Sequence, residues 1–217
     1  MITQIRGILR GVEEERATLA IDPLEIEVLV ADHTRRQIQG KVGELISLHT
    51  MLYLEGGAIA GRMIPRLVGF LAPIDREFFE VFCSVDGVGV RKALRAMILP
   101  VRELARTIQD QDVKTLATFP GIGEALAERI VAKLRRKVGL YALIVSSEGA
   151  PTAAAAASNG VSENAEPDVI RDTYAALLSV GHTESQARQA IDRVLTSKKK
   201  FRSVAEMIEA IYQQSRA

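Results

Sequence analysis

The stretch Val85-Asp86-Gly87-Val88-Gly89-Val90-Arg91-Lys92-Ala93 is answered further along by Phe119-Pro120-Gly121-Ile122-Gly123-Glu124-Ala125-Leu126-Ala127. Both read apolar-x-Gly-apolar-Gly-x-x-x-Ala, and both run into a helical apolar pattern. Gly87 and Gly121 stand 34 residues apart, so one supersecondary unit has been duplicated. Two close glycines permit a tight turn with positive φ and allow another backbone to come near. A turn that opens a helix presents N–H groups with no acceptor inside the helix. Together with the helix dipole, those donors suit a phosphate oxygen.

This is the helix-hairpin-helix pattern. One such turn is a weak signal, whereas two with the same flanking residues are strong. A symmetric pair can grip two neighbouring phosphates without reading bases, which positions a protein but carries no sequence information. The residues that would touch the nucleic-acid backbone are Gly87, Val88, Gly89, Arg91 and Lys92 in the first copy. In the second they are Gly121, Ile122, Gly123 and Arg129. The bland alternative is a pair of helical hairpins that only pack on protein.

Composition bounds the rest. The 217 residues allow one large domain or two to three small ones. The absence of Trp and an aromatic content of 5% argue against a large base-stacking surface. Net charge is only +1, but residues 71–145 carry 12 basic and 9 acidic side chains, whereas the flanking segments each carry 8 and 9. The positive excess therefore accompanies the duplicated motif. The single cysteine, Cys83, excludes an intramolecular disulfide and reads as a small buried hydrophobe. No apolar run reaches membrane-spanning length and no signal peptide opens the chain, so a cytoplasmic protein is expected.

Residues 1–70 read as β. Five strands are expected, around residues 2–9, 17–21, 25–30, 45–53 and 66–70, separated by Gly11, Asp22-Pro23, Gly40, Gly43 and Gly56-Gly57. Five short strands suit a small closed barrel of the OB type. Residues 71–145 switch to helical periodicity. Asp75 is expected to cap the first helix, Pro100 to separate two others, and Asp110 or Asp112 to cap a short one. Residues 146–166 hold five consecutive Ala among Ser, Gly, Glu and Asn, a linker composition. Residues 167–217 read as a three-helix bundle resembling ubiquitin-associated domains. Gly181 would end its first helix, Thr183-Glu184-Ser185-Gln186 would box the second, and Ser203 would cap the third. The fold class is thus multi-domain α+β: an OB-like barrel, an all-α tandem helix-hairpin-helix domain, a linker and a three-helix tail.

A barrel, paired hairpins, a linker and a three-helix tail in this order resemble the RuvA family. The likeness is carried by Asp86-Gly87-Val88-Gly89, by Phe119-Pro120-Gly121-Ile122-Gly123 with Ala127-Glu128-Arg129, by Met1-Ile2 with Arg6-Gly7, and by Ala175-Ala176-Leu177-Leu178-Ser179-Val180-Gly181-His182. The resemblance implies non-catalytic binding of four-way (Holliday) DNA junctions in recombination and repair. It implies a homotetramer, or an octamer of two tetramers, that recruits a hexameric RuvB-type ATPase motor through the tail; a RuvC-type junction resolvase is a further partner. No cofactor, metal or catalytic residue is expected. Leu177, Val180 and Ile208 are the candidate motor-docking residues, with burial inside the bundle as the alternative for each.

The sequence departs from the family at three places. Where the family barrel has a Gly-Val-Gly-Tyr-like stretch, this chain reads Asp22-Pro23-Leu24-Glu25-Ile26-Glu27. The family carries two adjacent acids on a hairpin at the junction centre; here Glu55 stands alone at the expected tip of a longer hairpin running through Arg62 and Pro65. Glu55 would act there as an acidic pin, by repulsion, and Arg62 or Arg66 would offset it. The second turn lacks the usual lysines, having Glu124 and Ala125 instead, so its backbone donors would work without electrostatic help.

Other classes find less support. A helix-hairpin-helix glycosylase needs a catalytic Asp in a larger helical domain. His33, His49 and His182 are scattered, without metal-ligand spacing. No Gly-rich loop ends in Gly-Lys-Ser/Thr, the signature of ATP hydrolysis. The remaining alternatives are a generic, sequence-independent DNA-backbone-binding subunit of another repair enzyme, and a protein-binding scaffold.

Overall fold

A computed structural model describes residues 2–56, 63–143, 167–196 and 201–214. Five strands form a closed barrel: β1 (Gln4–Glu13), β2 (Arg16–Ile21), β3 (Leu24–Val30), β4 (Leu45–Glu55) and β5 (Ile64–Phe70), in the order β1-β2-β3-β5-β4. All neighbours are antiparallel except β3 and β5, which pair in parallel through Val28 and Leu67. Period-2 alternation places Ile5, Leu9, Ala17, Leu19, Val28, Ile46 and Leu48 inside. Gly7 permits the closure. A Cβ there would stand 2.6 Å from the Ala20 carbonyl oxygen, so only glycine lets β1 lie this close to β2.

One element of the barrel was not foreseen. The connection between β3 and β4 contains helix α1 (Asp32–Ile38) and a 3-10 turn, and Ile38 plugs the barrel core. The segment is too short for an apolar period to register. It is held by Asp32, which pairs with Arg35 and Arg36 one turn on.

The helical part begins with α2 (Pro73–Cys83), followed by α3 (Val90–Ala96), α4 (Val101–Gln109), α5 (Val113–Ala117) and α6 (Glu124–Leu134). The expected cap Asp75 instead lies in the first turn of α2. Pro73 starts the helix, its fixed φ and missing N–H costing nothing at that position. Asp112, rather than Asp110, caps α5, accepting the Thr115 N–H at 3.0 Å. Phe78, Phe79 and Phe82 on α2 meet Leu29, Val68 and Phe70 from the outer face of the barrel in one core. Barrel and hairpins are therefore welded along α2. Cys83 is half-buried, and burial pushes its thiol up to about 12.

The tail comprises α7 (Pro167–Ser179), α8 (Glu184–Thr196) and α9 (Val204–Gln214). Gly181, at φ +99°, ends α7: its N–H donates to Leu178 and that of His182 to Leu177. Thr183 and Gln186 exchange side chain-to-backbone bonds at 2.9 and 3.3 Å, the expected capping box. Ser203 accepts the Glu206 N–H at the start of α9. The bundle does not stand apart from the hairpins. Val169, Ile170 and Tyr174 join the central core, and Arg171–Glu77, Arg106–Asp192 and Arg188–Asp110 tie its rim. So small a bundle cannot cover all the apolar surface of α7 by itself. The expected linker, 146–166, lies outside the described residues.

Gly7→Ala should destabilise the protein by about 2 kcal/mol or more through overpacking against a backbone oxygen that cannot move cheaply. Denaturant unfolding checks this. An unchanged midpoint would mean that the barrel closes without that close approach.

Candidate nucleic-acid interface

The two turns are built alike, atom for atom. The Val88 N–H donates to Val85 O at 2.9 Å, and the Ile122 N–H to Phe119 O at 3.0 Å. Gly89 caps α3 and Gly123 caps α6; each carbonyl accepts the N–H four residues on, from Ala93 and Ala127, at 2.9 Å. The first glycine of each pair carries the positive φ, +91° at Gly87 and +79° at Gly121. Each is also covered by the other copy. A Cβ at Gly87 would meet Leu126 at 3.5 Å, and one at Gly121 would meet Lys92 at 3.2 Å. Lys92 and Leu126 occupy equivalent places in the repeat, so the halves clasp each other by an approximate two-fold.

The second glycine of each pair is different. Gly89 and Gly123 have ordinary extended backbone, and nothing in the protein lies within 4 Å of where a Cβ would be. No internal contact requires glycine at either position. The first amides of α6, at Glu124 and Ala125, precede the earliest N–H groups that return to Gly123. Val88 and Ile122 were expected to contact DNA. Their side chains are 4% exposed and their N–H groups are engaged within the turns, so they act as anchors that hold the loops in shape.

The cations sort into two groups. Lys92 lays its aliphatic stem over Gly121 and donates from Nζ to Gly87 O at 2.9 Å, so one side chain touches both turns while its charge sits at the first. Arg129 reaches the Asp86 carbonyl at 3.5 Å, and Lys133 donates to Ser84 O at 2.5 Å. All three charged groups thus sit at carbonyls of the first turn, two of them supplied by α6 of the second copy. Arg91, one residue before Lys92, points to the barrel instead. Its Nε donates to Glu55 at 2.7 Å, its Nη2 to the same carboxylate at 3.2 Å, and its Nη1 to Glu15 at 3.3 Å.

Glu55 is the last residue of β4, not the tip of the hairpin, whose outer residues 57–62, Arg62 among them, lie outside the described residues. Strand alternation puts Glu55 on the same face as Met51 and Tyr53, which pack against the helical core. There it accepts from Arg91, from Arg66 at 3.0 Å and from the Tyr53 hydroxyl at 3.4 Å. The Arg91 guanidinium, helped by Arg66, holds the Glu55 carboxyl at about 2, and the same bond raises the Arg91 pKa. Such a carboxylate is not the bare repulsive pin that its position in the sequence suggested. Glu15, Arg95, Glu27 and Arg16, which complete the cluster, gave no signal in the sequence beyond scattered surface charges. Of the tail residues, Leu177 is 1% exposed and forms part of the core, Ile208 is part-buried, and Val180 is 70% exposed.

A closed five-stranded barrel carrying two interlocked glycine turns places the protein, by class, among those built on a tandem helix-hairpin-helix domain. The family model for a SAM-like helix-hairpin-helix tandem matches residues 79–136. A protein of Rhodopirellula baltica is 47% identical over 216 residues, covering 100% of both chains. One of Opitutus terrae is 34% identical over 89% of this chain and 90% of its own. A third, from Desulforapulum autotrophicum, is 28% identical over 98% and 97%. Each is named Holliday junction branch migration complex subunit RuvA, and the chain belongs to the RuvA family.

Glu55→Gln should lower stability by about 1 kcal/mol near neutral pH, a modest figure because both partners are about one-third exposed. The folded carboxyl titrates near 2 against an ordinary 4.5. Its stabilisation is therefore complete above 4.5 and is lost as pH falls towards 2. Wild-type and variant stabilities, measured by denaturant unfolding, should converge across that window. A constant gap from neutral pH down to pH 2 would count against the ion pair.

Proposed function

We propose that this protein binds four-way DNA junctions through their phosphate backbone and presents them to a RuvB-type ATPase motor for branch migration in the cytoplasm, without catalysing a reaction itself. The observation that carries this reading is the pair of open glycines. Gly89 and Gly123 leave bare backbone at the start of two helices, side by side, where nothing internal asks for glycine. Phosphates can approach such a surface closely, and Lys92 and Arg129 supply charge beside it. The relatives' names identify those proteins as Holliday junction branch migration complex subunits, which selects the four-way junction over the generic duplex binder.

A homotetramer is supported by the arm of β4 and β5 beyond the barrel. Leu52 and Leu54 on one face of this arm, and Ile64 opposite Glu55 on the other, are all exposed, as is Met63 beside them, apolar surface that a single chain leaves in water. A RuvC-type resolvase would act on the same junction. For motor docking, Val180 and the part-exposed Ile208 are retained, and Leu177 is assigned to the bundle core.

Junction affinity should exceed that for linear duplex of equal length by several hundred-fold, roughly the scale of specificity ratios, and should fall steeply with salt. Gly123→Ala should leave the fold intact, since its Cβ meets open space, yet weaken junction binding about tenfold by crowding a phosphate. Filter binding or anisotropy at stated salt measures both. Equal affinity for junction and duplex would favour the generic binder.

Val180→Asp places a charge on an exposed apolar position and should not disturb folding. Motor-driven branch migration should drop at least about tenfold, a loss of roughly one docking contact, while junction affinity stays unchanged. Wild-type migration rates in this variant would remove Val180 from the docking surface.

A further inference from the structure

Seven charges alternate along one chain of contacts at the mouth of the barrel. Arg95 meets Glu15 at 2.7 Å, and Glu15 meets Arg91 at 3.3 Å. Arg91 meets Glu55 at 2.7 Å, and Glu55 meets Arg66 at 3.0 Å. Arg66 meets Glu27 at 3.0 Å, and Glu27 meets Arg16 at 3.2 Å. Arg91 and Arg95 belong to α3, the helix that the first glycine turn opens; the other five belong to the barrel. The barrel rim therefore grips the first hairpin by two arginines one helical turn apart.

We propose that Glu55 is a positioning residue for DNA binding, holding Arg91 so that the first glycine turn stays aligned with the second, and that it acts through Arg91 rather than by its own field on DNA. This rests on the junction-binding reading above. Three features carry it. Arg91 engages Glu55 side-on through two nitrogens and both carboxylate oxygens, a fork geometry that fixes orientation as well as distance. Helix α3 has only seven residues, too few to be stable alone, so its direction is set by whatever grips it. A carboxylate clasped by two guanidiniums also has little field left. Beyond the ~8 Å screening length at physiological salt, the cluster of four arginines and three glutamates acts as a weak positive charge, not a negative one.

The grip explains why two adjacent cations do different work. Lys92 turns to the glycine loops and offers charge to phosphate, while Arg91 turns to the rim and sets the pose of that loop. Glu55 is thereby tied to the DNA surface through one intermediary, and removing the intermediary should abolish its influence.

The test is a double-mutant cycle on four-way-junction affinity at fixed salt, with Glu55→Gln, Arg91→Gln and the double variant, each checked for folding by circular dichroism. Glu55→Gln alone should weaken junction binding about tenfold, within the range of energies that coupled neighbours show. With Arg91→Gln in place, the same change should alter affinity by less than about twofold. Arg91→Lys keeps the charge, loses the fork and should bind as poorly as Arg91→Gln; this milder change carries the test where another variant fails to fold. The proposal is overturned if Glu55→Gln has the same effect in both backgrounds, if it tightens junction binding, or if Arg91→Lys binds as wild type does. Wild-type protein without junction preference would overturn the functional reading and this inference together. Intact preference without coupling would overturn this inference alone.

Discussion

Two reciprocal close approaches hold the interface together: the stem of Lys92 over Gly121, and Leu126 over Gly87. Each turn glycine is left-handed, so a side chain there would be strained on its own account. Each is also the floor on which the other repeat rests. Neither hairpin can move without disturbing its twin, and the spacing of the two loops follows from this mutual contact. Val88 and Ile122 complete the arrangement from below, buried in the core with their amides closed into the turns. Everything offered outward, the open backbone at Gly89 and Gly123 and the cations beside it, stands on this base.

Charge is arranged in two tiers on that base. Lys92, Arg129 and Lys133 lie at the loops, donating to main-chain carbonyls at their edges. Each is exposed enough to exchange such a bond for a phosphate oxygen. Arg91 and Arg95 lie on the barrel side and are paired with carboxylates. The central segment's basic residues are therefore divided between the glycine loops and the barrel rim. The division preserves the likeness to the RuvA family while altering its details. The stem of one lysine crosses the second turn, which lacks lysines of its own, and a single glutamate binds arginine where the family carries a pair of acids.

The tail shows the same economy of contact. Its apolar surface is divided between its own bundle and the central core, with Tyr174 over Gly139, where a Cβ would come within 2.7 Å of the phenol oxygen. That packing removes Leu177 from any outward role and leaves Val180, next to the glycine that ends α7, as the prominent apolar residue. The two bonds that close this helix end, from Gly181 to Leu178 and from His182 to Leu177, are those of a Schellman motif, with Val180 at its C-cap.

Much of this was legible in the residues alone. The duplicated glycine pattern, the alternation of the strands, the capping box at Thr183 and the stop at Gly181 are local signals, set by interactions within a few residues of one another. For that reason the fold class and the nucleic-acid reading could be argued from the chain. Helix α1 escaped because its seven residues hold too few apolar positions to reveal a period. The fate of Glu55 escaped for a different reason. Its partner Arg66 lies 11 residues away across the β4–β5 hairpin, but Arg91 lies 36 away, and that pairing exists only because the barrel and α3 meet across a shared core. Arg91 and Lys92 are neighbours of the same charge, but successive helical residues point about 100° apart. Which one faces the barrel and which the loops depends on how α3 is docked, and only the tertiary structure decides that.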